Sequence, residues 1–258
     1  MILKNLFTVS AFTTLMLAAS AFVQKEEIRE TKPVFPSENN GFAVLELFTS
    51  EGCSSCPPAD ELMGQIEKEY RNRPVYILSY HVDYWNRMAW KDRFSSAENS
   101  QRQQWYSRLL QSQTYTPQLV VNGREEFVGS ERNSIENALQ NVLFDTKNTS
   151  VNLSAKISQK TVTVNYKTAA TDPQNKLLIS LVERKSSTQV GGGENEGHRL
   201  QHWQIVHQQN NISLKDAPEG MTNFKLPENF SPENWEVIGF IQNLKTGIIS
   251  GAAKTAVQ

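Results

Sequence analysis

The fold is decided by the stretch Phe42-Ala-Val-Leu-Glu-Leu-Phe48 and by Cys53-Ser-Ser-Cys56, which follows it. The apolar run predicts a β-strand, and the amphipathic pattern from Pro57 to Tyr70 predicts an α-helix. The two cysteines are the only ones in the 258-residue chain. A bridge across so short a loop adds little loop-closure stability, so the pair indicates redox chemistry at a strand-to-helix junction.

The two cysteines are expected to have different roles. A helix N-terminus offers unpaired N–H groups and a partial positive charge, which favour a thiolate. We expect Cys53, the more exposed of the two, to attack, and Cys56 to resolve the mixed disulfide.

The N-terminal segment has the pattern of a secretory signal. Lys4 precedes an apolar run over 6–19, and the small residues of Ala19-Ser-Ala21 suit cleavage. We therefore predict a signal peptide over 1–21, a linker over 22–40, and export to the periplasm or the extracellular space. The mature chain has no further stretch that predicts stable membrane insertion.

Composition and export exclude several classes of function. With 26 basic and 27 acidic residues the net charge is −1, which argues against nucleic-acid binding. One Cys-x-x-Cys supplies only half of a zinc site, so we expect no metal and no cofactor. In an oxidising compartment the default state of the pair is a disulfide.

Residues 41–148 are predicted to form an α/β domain. The expected elements, in chain order, are strand 42–48, helix 57–70, strand 75–80, helix 97–112, strand 118–121, an Asn122-Gly123 turn, strand 125–128 and helix 134–144. This order is that of a thioredoxin-like domain with a helical insertion.

Residues 149–258 are predicted to form a second, small all-β domain of sandwich type. Strands are expected at 151–157, 161–166, 176–183, 236–242 and 247–253.

Side chains from three segments should converge at the carboxyl ends of the first two strands. These segments carry the cysteines, then His81, Asp83 and Trp85, and finally Thr116-Pro117. We predict a cis bond before Pro117, with Pro117 facing the dithiol. His81, Asp83, Trp85 and Thr116 are the candidate substrate-binding residues.

The roles of the titratable residues stay open at this level. Glu46, inside an apolar strand, is either a buried acid of raised pKa that relays a proton to Cys56, or an edge or ion-paired residue. His81 and Asp83 either tune the thiolate or hold a metal beside it, or they hydrogen-bond to each other and to Trp85 to shape the loop.

The segment Gly191-Gly-Gly-Glu194-Asn195-Glu-Gly197 to His202 also allows two interpretations. Glycine clusters usually mark flexible connections. The alternative is a docking loop that reaches the dithiol domain.

The segments around Cys53, His81-Val-Asp-Tyr-Trp85, Tyr115-Thr-Pro117-Gln and Gly193-Glu-Asn-Glu-Gly197 resemble a family of uncharacterised secreted bacterial proteins. The resemblance implies a thioredoxin-like fold with a C-terminal β extension, export and a redox role. It names no substrate, and Ser54-Ser55 departs from the Gly-Pro of thioredoxin itself.

The sequence favours an extracytoplasmic thiol–disulfide oxidoreductase. Its partners would be protein thiols or disulfides, or a redox partner protein, with Cys53, Cys56, Pro117 and Glu46 as catalytic residues. One alternative is a non-catalytic binding module with a structural Cys53–Cys56 disulfide. Another is a copper-handling protein in which both thiolates and His81 bind Cu(I).

Overall fold

The structure, a computed structural model, describes residues 41–87, 89–145, 148–170, 172–215, 217–228 and 230–258. The described residues form a mostly β architecture. Their eleven strands are β1 (Ala43–Thr49), β2 (Val75–His81), β3 (Gln118–Val121), β4 (Glu125–Val128), β5 (Val151–Ser158), β6 (Thr161–Thr168), β7 (Asn175–Gln189), β8 (Arg199–Ser213), β9 (Glu219–Lys225), β10 (Trp235–Asn243) and β11 (Ile249–Ala256). Their helices are α1 (Pro57–Glu69), α2 (Ala97–Leu110), α3 (Arg132–Phe144) and a short 3-10 helix over Pro232–Asn234.

Eight strands form one mixed sheet in the order β11-β10-β7-β8-β2-β1-β3-β4. β1 runs parallel to β2 along its whole length, and β2 runs parallel to β8 where Ser79 pairs with Ile205. The other neighbours are antiparallel. The centre of the sheet, where β2 pairs with β8, therefore joins strands from the two halves of the chain.

The large sheet has an apolar core on each face. Along β7, Leu178 faces a core that includes Tyr106 of α2, whereas Leu177 and Ile179 face a core shared with the small antiparallel sheet β5-β6-β9. This alternation follows from the two-residue period of a strand. Both faces are covered, which explains why β1, β2 and β10 are nearly continuous apolar runs.

Helix α1 lies close to β8. A Cβ atom added at Gly64 would lie 2.4 Å from the ring of Trp203, so only glycine permits this approach. The contact brings α1, the helix that follows the cysteines, against a strand from the C-terminal half.

The predicted fold class is wrong. The residues after 149 do not build a separate β domain behind an α/β thioredoxin-like domain, because β7, β8, β10 and β11 extend the sheet that contains β1 to β4. Strand periodicity identifies strands but not the sheet that each one joins. The prediction also omitted β8 and β9, whose polar side chains hide the pattern.

The predicted signal peptide over 1–21 and the linker over 22–40 lie outside the described residues. Within the described part of the chain, no helix combines the length and the apolar character needed to cross a bilayer. Cys53 and Cys56 form a disulfide, which is consistent with an oxidising, extracytoplasmic compartment.

Candidate functional site

The disulfide lies at the junction of β1 and α1. Cys56 is the N-cap residue of α1 and Pro57 occupies the first helical turn, where a missing N–H costs little. Both sulfur-bearing residues are buried, whereas Ser54 and Ser55 between them are exposed. The expected difference in exposure between Cys53 and Cys56 is therefore absent from the disulfide form.

The loop before β3 lies against the disulfide. The Thr116–Pro117 bond is cis, as the sequence predicted. The carbonyl oxygen of Thr116 lies 3.7 Å from Cys53 Sγ, and it accepts a 3.4 Å hydrogen bond from the hydroxyl of Ser55. Trp85 Nε1 donates to Thr116 Oγ1 at 2.8 Å. Thr116, Pro117 and Trp85 thus lie at the dithiol junction, in agreement with the predicted convergence.

Glu46 lies on the face of β1 that packs against α2. Arg102 Nε donates to its carboxylate at 2.5 Å, and Tyr106 Oη donates a second hydrogen bond to it. Its neighbour Leu47 faces the opposite side, near Ala59 of α1. Glu46 is therefore part of a buried ion pair beneath α2, and the structure does not bring it to Cys56.

His81 and Asp83 do not bond to each other. His81 Nδ1 lies 2.6 Å from Asp92 Oδ2. Asp83 instead accepts a 2.5 Å hydrogen bond from the hydroxyl of Ser100 in α2. Asp83 thus shapes the loop after β2, while His81 belongs to a different group of residues.

That group is a buried cluster of two histidines and three carboxylates, which we call the His–carboxylate cluster: Glu51, Asp60, His81, Asp92 and His202. His202 Nε2 lies 3.3 Å from Glu51 Oε1, and its Nδ1 lies 3.8 Å from Asp60 Oδ2. The two imidazole rings pack edge to face, with centroids 4.9 Å apart. Every member is at most 2% exposed, so the cluster holds titratable groups away from water.

Further donors hold the carboxylates of the cluster. Thr49 Oγ1 donates to Asp60 at 3.1 Å, and Trp90 Nε1 donates to Glu51 at 2.8 Å. The backbone N–H of Glu51 donates to Asp92 at 2.9 Å. The cluster is therefore tied directly to the segment that leads into Cys53.

The ionisation of the cluster follows from its contacts. Burial alone would lower the pKa of His202, but the carboxylates of Asp60 and Glu51 outweigh it and raise that pKa to about 9. Burial likewise opposes the charge on Asp92, yet His81 and backbone N–H donors hold the pKa of Asp92 below its usual range.

Several buried atoms of the cluster lack a hydrogen-bond partner among the described residues. These atoms are His81 Nε2, both ring nitrogens of His202, Asp60 Oδ1 and Glu51 Oε1. Asp60, His81 and His202 each offer one donor atom, and the three atoms lie within 4.8 Å of one another. These three residues are the candidates for holding a metal.

The glycine-rich segment docks onto the dithiol junction. Asn195 Nδ2 donates to the carbonyl oxygens of Glu51 and Cys53, each at 2.9 Å. Glu194 accepts a 3.0 Å hydrogen bond from the amide of Ser54. The alternative of a docking loop is thus the one that the structure shows, and we call residues 191–197 the docking loop.

The sequence interpretation missed most of the cluster. Glu51 and Asp60 flank the cysteines in the chain, but nothing in their pattern indicates burial. His202 lies on β8, which was not recognised as a strand, and Asp92 lies in a loop. Only the paired sheet brings these residues together.

Known proteins resemble this chain in sequence and in fold. Residues 44–242 match the family described as "Protein of unknown function (DUF1223)". The chain belongs to the DUF1223 family. The matched region includes the cysteines, Pro117, His81 and His202.

A solved structure shares the fold of this DUF1223 chain. It is the crystal structure of protein AGR_C_4864 from Agrobacterium tumefaciens, which is 27% identical, with a TM-score of 0.64, and the match covers 83% of this chain and 93% of that one. A domain of the outer membrane lipoprotein Omp28 from Porphyromonas gingivalis matches at 12% identity and a TM-score of 0.27, over 44% of this chain and 91% of that one. The second likeness is too low to support an argument. No curated protein matches the sequence.

Proposed function

We propose that this protein is an extracytoplasmic thiol–disulfide oxidoreductase that exchanges electrons with protein thiols or disulfides through Cys53 and Cys56. The observation that carries the proposal is the disulfide itself, formed by the only two cysteines of the chain at the N-terminus of α1. A helix N-terminus stabilises a thiolate, which is the reactive form in disulfide exchange.

Disulfide exchange with a substrate dithiol takes two steps. A substrate thiolate attacks Cys53 Sγ, the Cys53–Cys56 bond breaks, and Cys56 leaves as a thiolate. A second substrate thiolate then attacks the substrate sulfur of the mixed disulfide and releases Cys53 as a thiolate. The substrate dithiol releases two protons to solvent as its thiolates form, and it passes two electrons to the cysteine pair. The reverse sequence reduces a substrate disulfide.

The surface next to the disulfide supports a role for Thr116 and Trp85 in binding substrate. The hydroxyl of the exposed Ser55 donates to the Thr116 carbonyl oxygen beside Cys53, and the half-buried Trp85 donates to Thr116 Oγ1. His81 is buried and Asp83 is bonded to Ser100, so their geometry does not favour contact with a substrate chain.

The test is the reduction potential of the pair. We expect half-reduction in glutathione buffers at a potential above about −300 mV, measured by alkylation and mass spectrometry. We also expect Cys56→Ser to trap a mixed disulfide when the Cys53 thiolate attacks a disulfide-containing peptide and releases one peptide thiolate, whereas Cys53→Ser traps it at least tenfold more slowly. A potential below about −300 mV would overturn the proposal.

A second candidate is a non-catalytic module in which the disulfide is structural. The burial of both cysteines favours it, because an attacking thiol must first displace the covering residues. The same potential measurement separates the two functions, since structural disulfides resist reduction by glutathione.

A further inference from the structure

We propose that Asp60, His81 and His202 form a binding site for one divalent transition-metal ion, with Zn²⁺ as the ion that suits the donors best. One donor atom of each residue lies within 4.8 Å of the other two, and all three residues are buried. The proposal goes beyond the redox function, because it uses neither cysteine.

Each imidazole of the site has one ring nitrogen beside a carboxylate. His81 Nδ1 lies 2.6 Å from Asp92, so its Nε2 is left to bind an ion. His202 Nε2 lies 3.3 Å from Glu51 Oε1 without a hydrogen bond, and its Nδ1, on the side of Asp60, binds an ion only after it releases its proton. A metal-binding histidine usually has its second ring nitrogen held by a carboxylate, which fixes the tautomer and the ring.

The three residues also carry buried polar atoms without hydrogen bonds. Asp60 Oδ1, His81 Nε2 and His202 Nδ1 are all buried, and none has a hydrogen-bond partner among the described residues. Buried polar atoms are normally paired, because leaving them unpaired is costly. A cation held by one donor atom of each residue would give these buried groups a partner.

The His–carboxylate cluster contains more acidic than basic side chains. Three buried carboxylates face only two imidazoles, and among the described residues no lysine or arginine forms an ion pair with Glu51, Asp60 or Asp92. Buried charges are ordinarily paired or bound to metals. A divalent ion would compensate the excess negative charge.

The donor set indicates the class of ion. Two imidazole nitrogens and one carboxylate oxygen suit Zn²⁺ and other first-row divalent ions, with one position left for water or another ligand. A tetrahedral ion with bonds of 2.0–2.1 Å holds its ligands about 3.4 Å apart. Binding therefore draws the three side chains slightly closer than they lie here.

The experiment uses the disulfide form of the full mature chain, stripped with a chelator, so that no thiolate can bind the metal. We expect calorimetric titration with Zn²⁺ to give one ion per chain, and Asp60→Asn to weaken binding at least tenfold. The control is His207→Asn. His207 lies on β8, as His202 does, but it pairs with Glu183 outside the His–carboxylate cluster. The control should bind within twofold of the wild type.

A second measurement needs no variant and stays informative if Asp60→Asn fails to fold. In the wild-type protein, Zn²⁺ should shift the imidazole NMR signals of His81 and His202 and leave those of His198 and His207 unchanged. The proposal is overturned if the disulfide form binds no Zn²⁺ at millimolar concentration, if binding requires reduction of the cysteines, or if Asp60→Asn binds as tightly as the wild type.

Discussion

The amide of Ser54, between the two cysteines, donates a 3.0 Å hydrogen bond to Glu194 Oε2, although 140 residues separate the two in the chain. With the two hydrogen bonds of Asn195, this contact holds the docking loop on the Cys53–Cys56 segment. We therefore expect access to the disulfide to depend on the docking loop.

The contact between Ser54 and Glu194 should depend on pH. Hydrogen bonding from Ser54 holds the pKa of Glu194 below its usual range. The pKa of Glu194 is lower in the folded protein than in the unfolded chain, where it is about 4.3. The contact therefore stabilises the fold fully above the unfolded-state pKa, and this stabilisation is lost as the pH falls through the folded-state pKa. The amide NMR shift of Ser54 should therefore titrate with a midpoint below about 4.3.

The control for that titration is Glu194→Gln, which removes the charge and should abolish the acid-range change at Ser54. A midpoint at the ordinary glutamate value in the wild-type protein would show that the hydrogen bond does not persist in solution.

Asn195→Ala should weaken the attachment of the docking loop to the Cys53–Cys56 segment. The change removes the donor to the buried carbonyl oxygen of Glu51 and one of the two donors to that of Cys53, which keeps the amide of Cys56. We expect a loss of about 1–3 kcal/mol in the free energy of unfolding, measured in urea. The disulfide should also be reduced faster by a small thiol.

The matched control for Asn195→Ala is Glu196→Ala, because Glu196 is an exposed residue of the same docking loop. It should change the free energy of unfolding by less than about 0.5 kcal/mol. If both variants reduce at the wild-type rate, the docking loop does not control access to Cys53.

Arg102→Met should destabilise the protein strongly without changing the dithiol. It leaves Glu46 buried without its guanidinium partner, and breaking a buried pair in this way costs about 3–5 kcal/mol. Arg108→Met, on the exposed face of the same helix, should cost less than about 0.5 kcal/mol in the same urea unfolding experiment.

The companion variant Glu46→Gln addresses the proton relay. Since Glu46 faces α2 rather than α1, we expect thiol–disulfide exchange at neutral pH to stay within about threefold of the wild-type rate. A tenfold slower exchange in a folded Glu46→Gln protein would show that Glu46 does act on Cys56.

Local patterns predicted most elements of the first half of the chain. The apolar runs of β1 and β2, the Asn122-Gly123 turn and the spacing of α3 each carry their own periodicity, and the observed bounds lie within a few residues of the predicted ones. The cis bond before Pro117 was also predicted. These features depend on neighbours in sequence, so the sequence reveals them.

The sheet order and the His–carboxylate cluster could not be predicted in this way. β8 carries Gln201, Gln204, Gln208 and Gln209, so its pairing with β7 depends on backbone hydrogen bonds that leave no apolar signal. Asp60 and His202 meet only because α1 packs on that strand. A single sequence does not show such long-range pairing.

The junction between β2 and β8 also constrains the order of folding. Ser79 Oγ donates to the carbonyl oxygen of Trp203 at 2.7 Å across 124 residues, so the middle of the sheet closes only after β8 has been synthesised. Until then β2 presents an open, apolar strand edge, and such edges invite aggregation. Non-local pairing of this kind folds slowly. A newly made chain thus has a vulnerable interval, which ends when β8 docks and brings His202 beside His81.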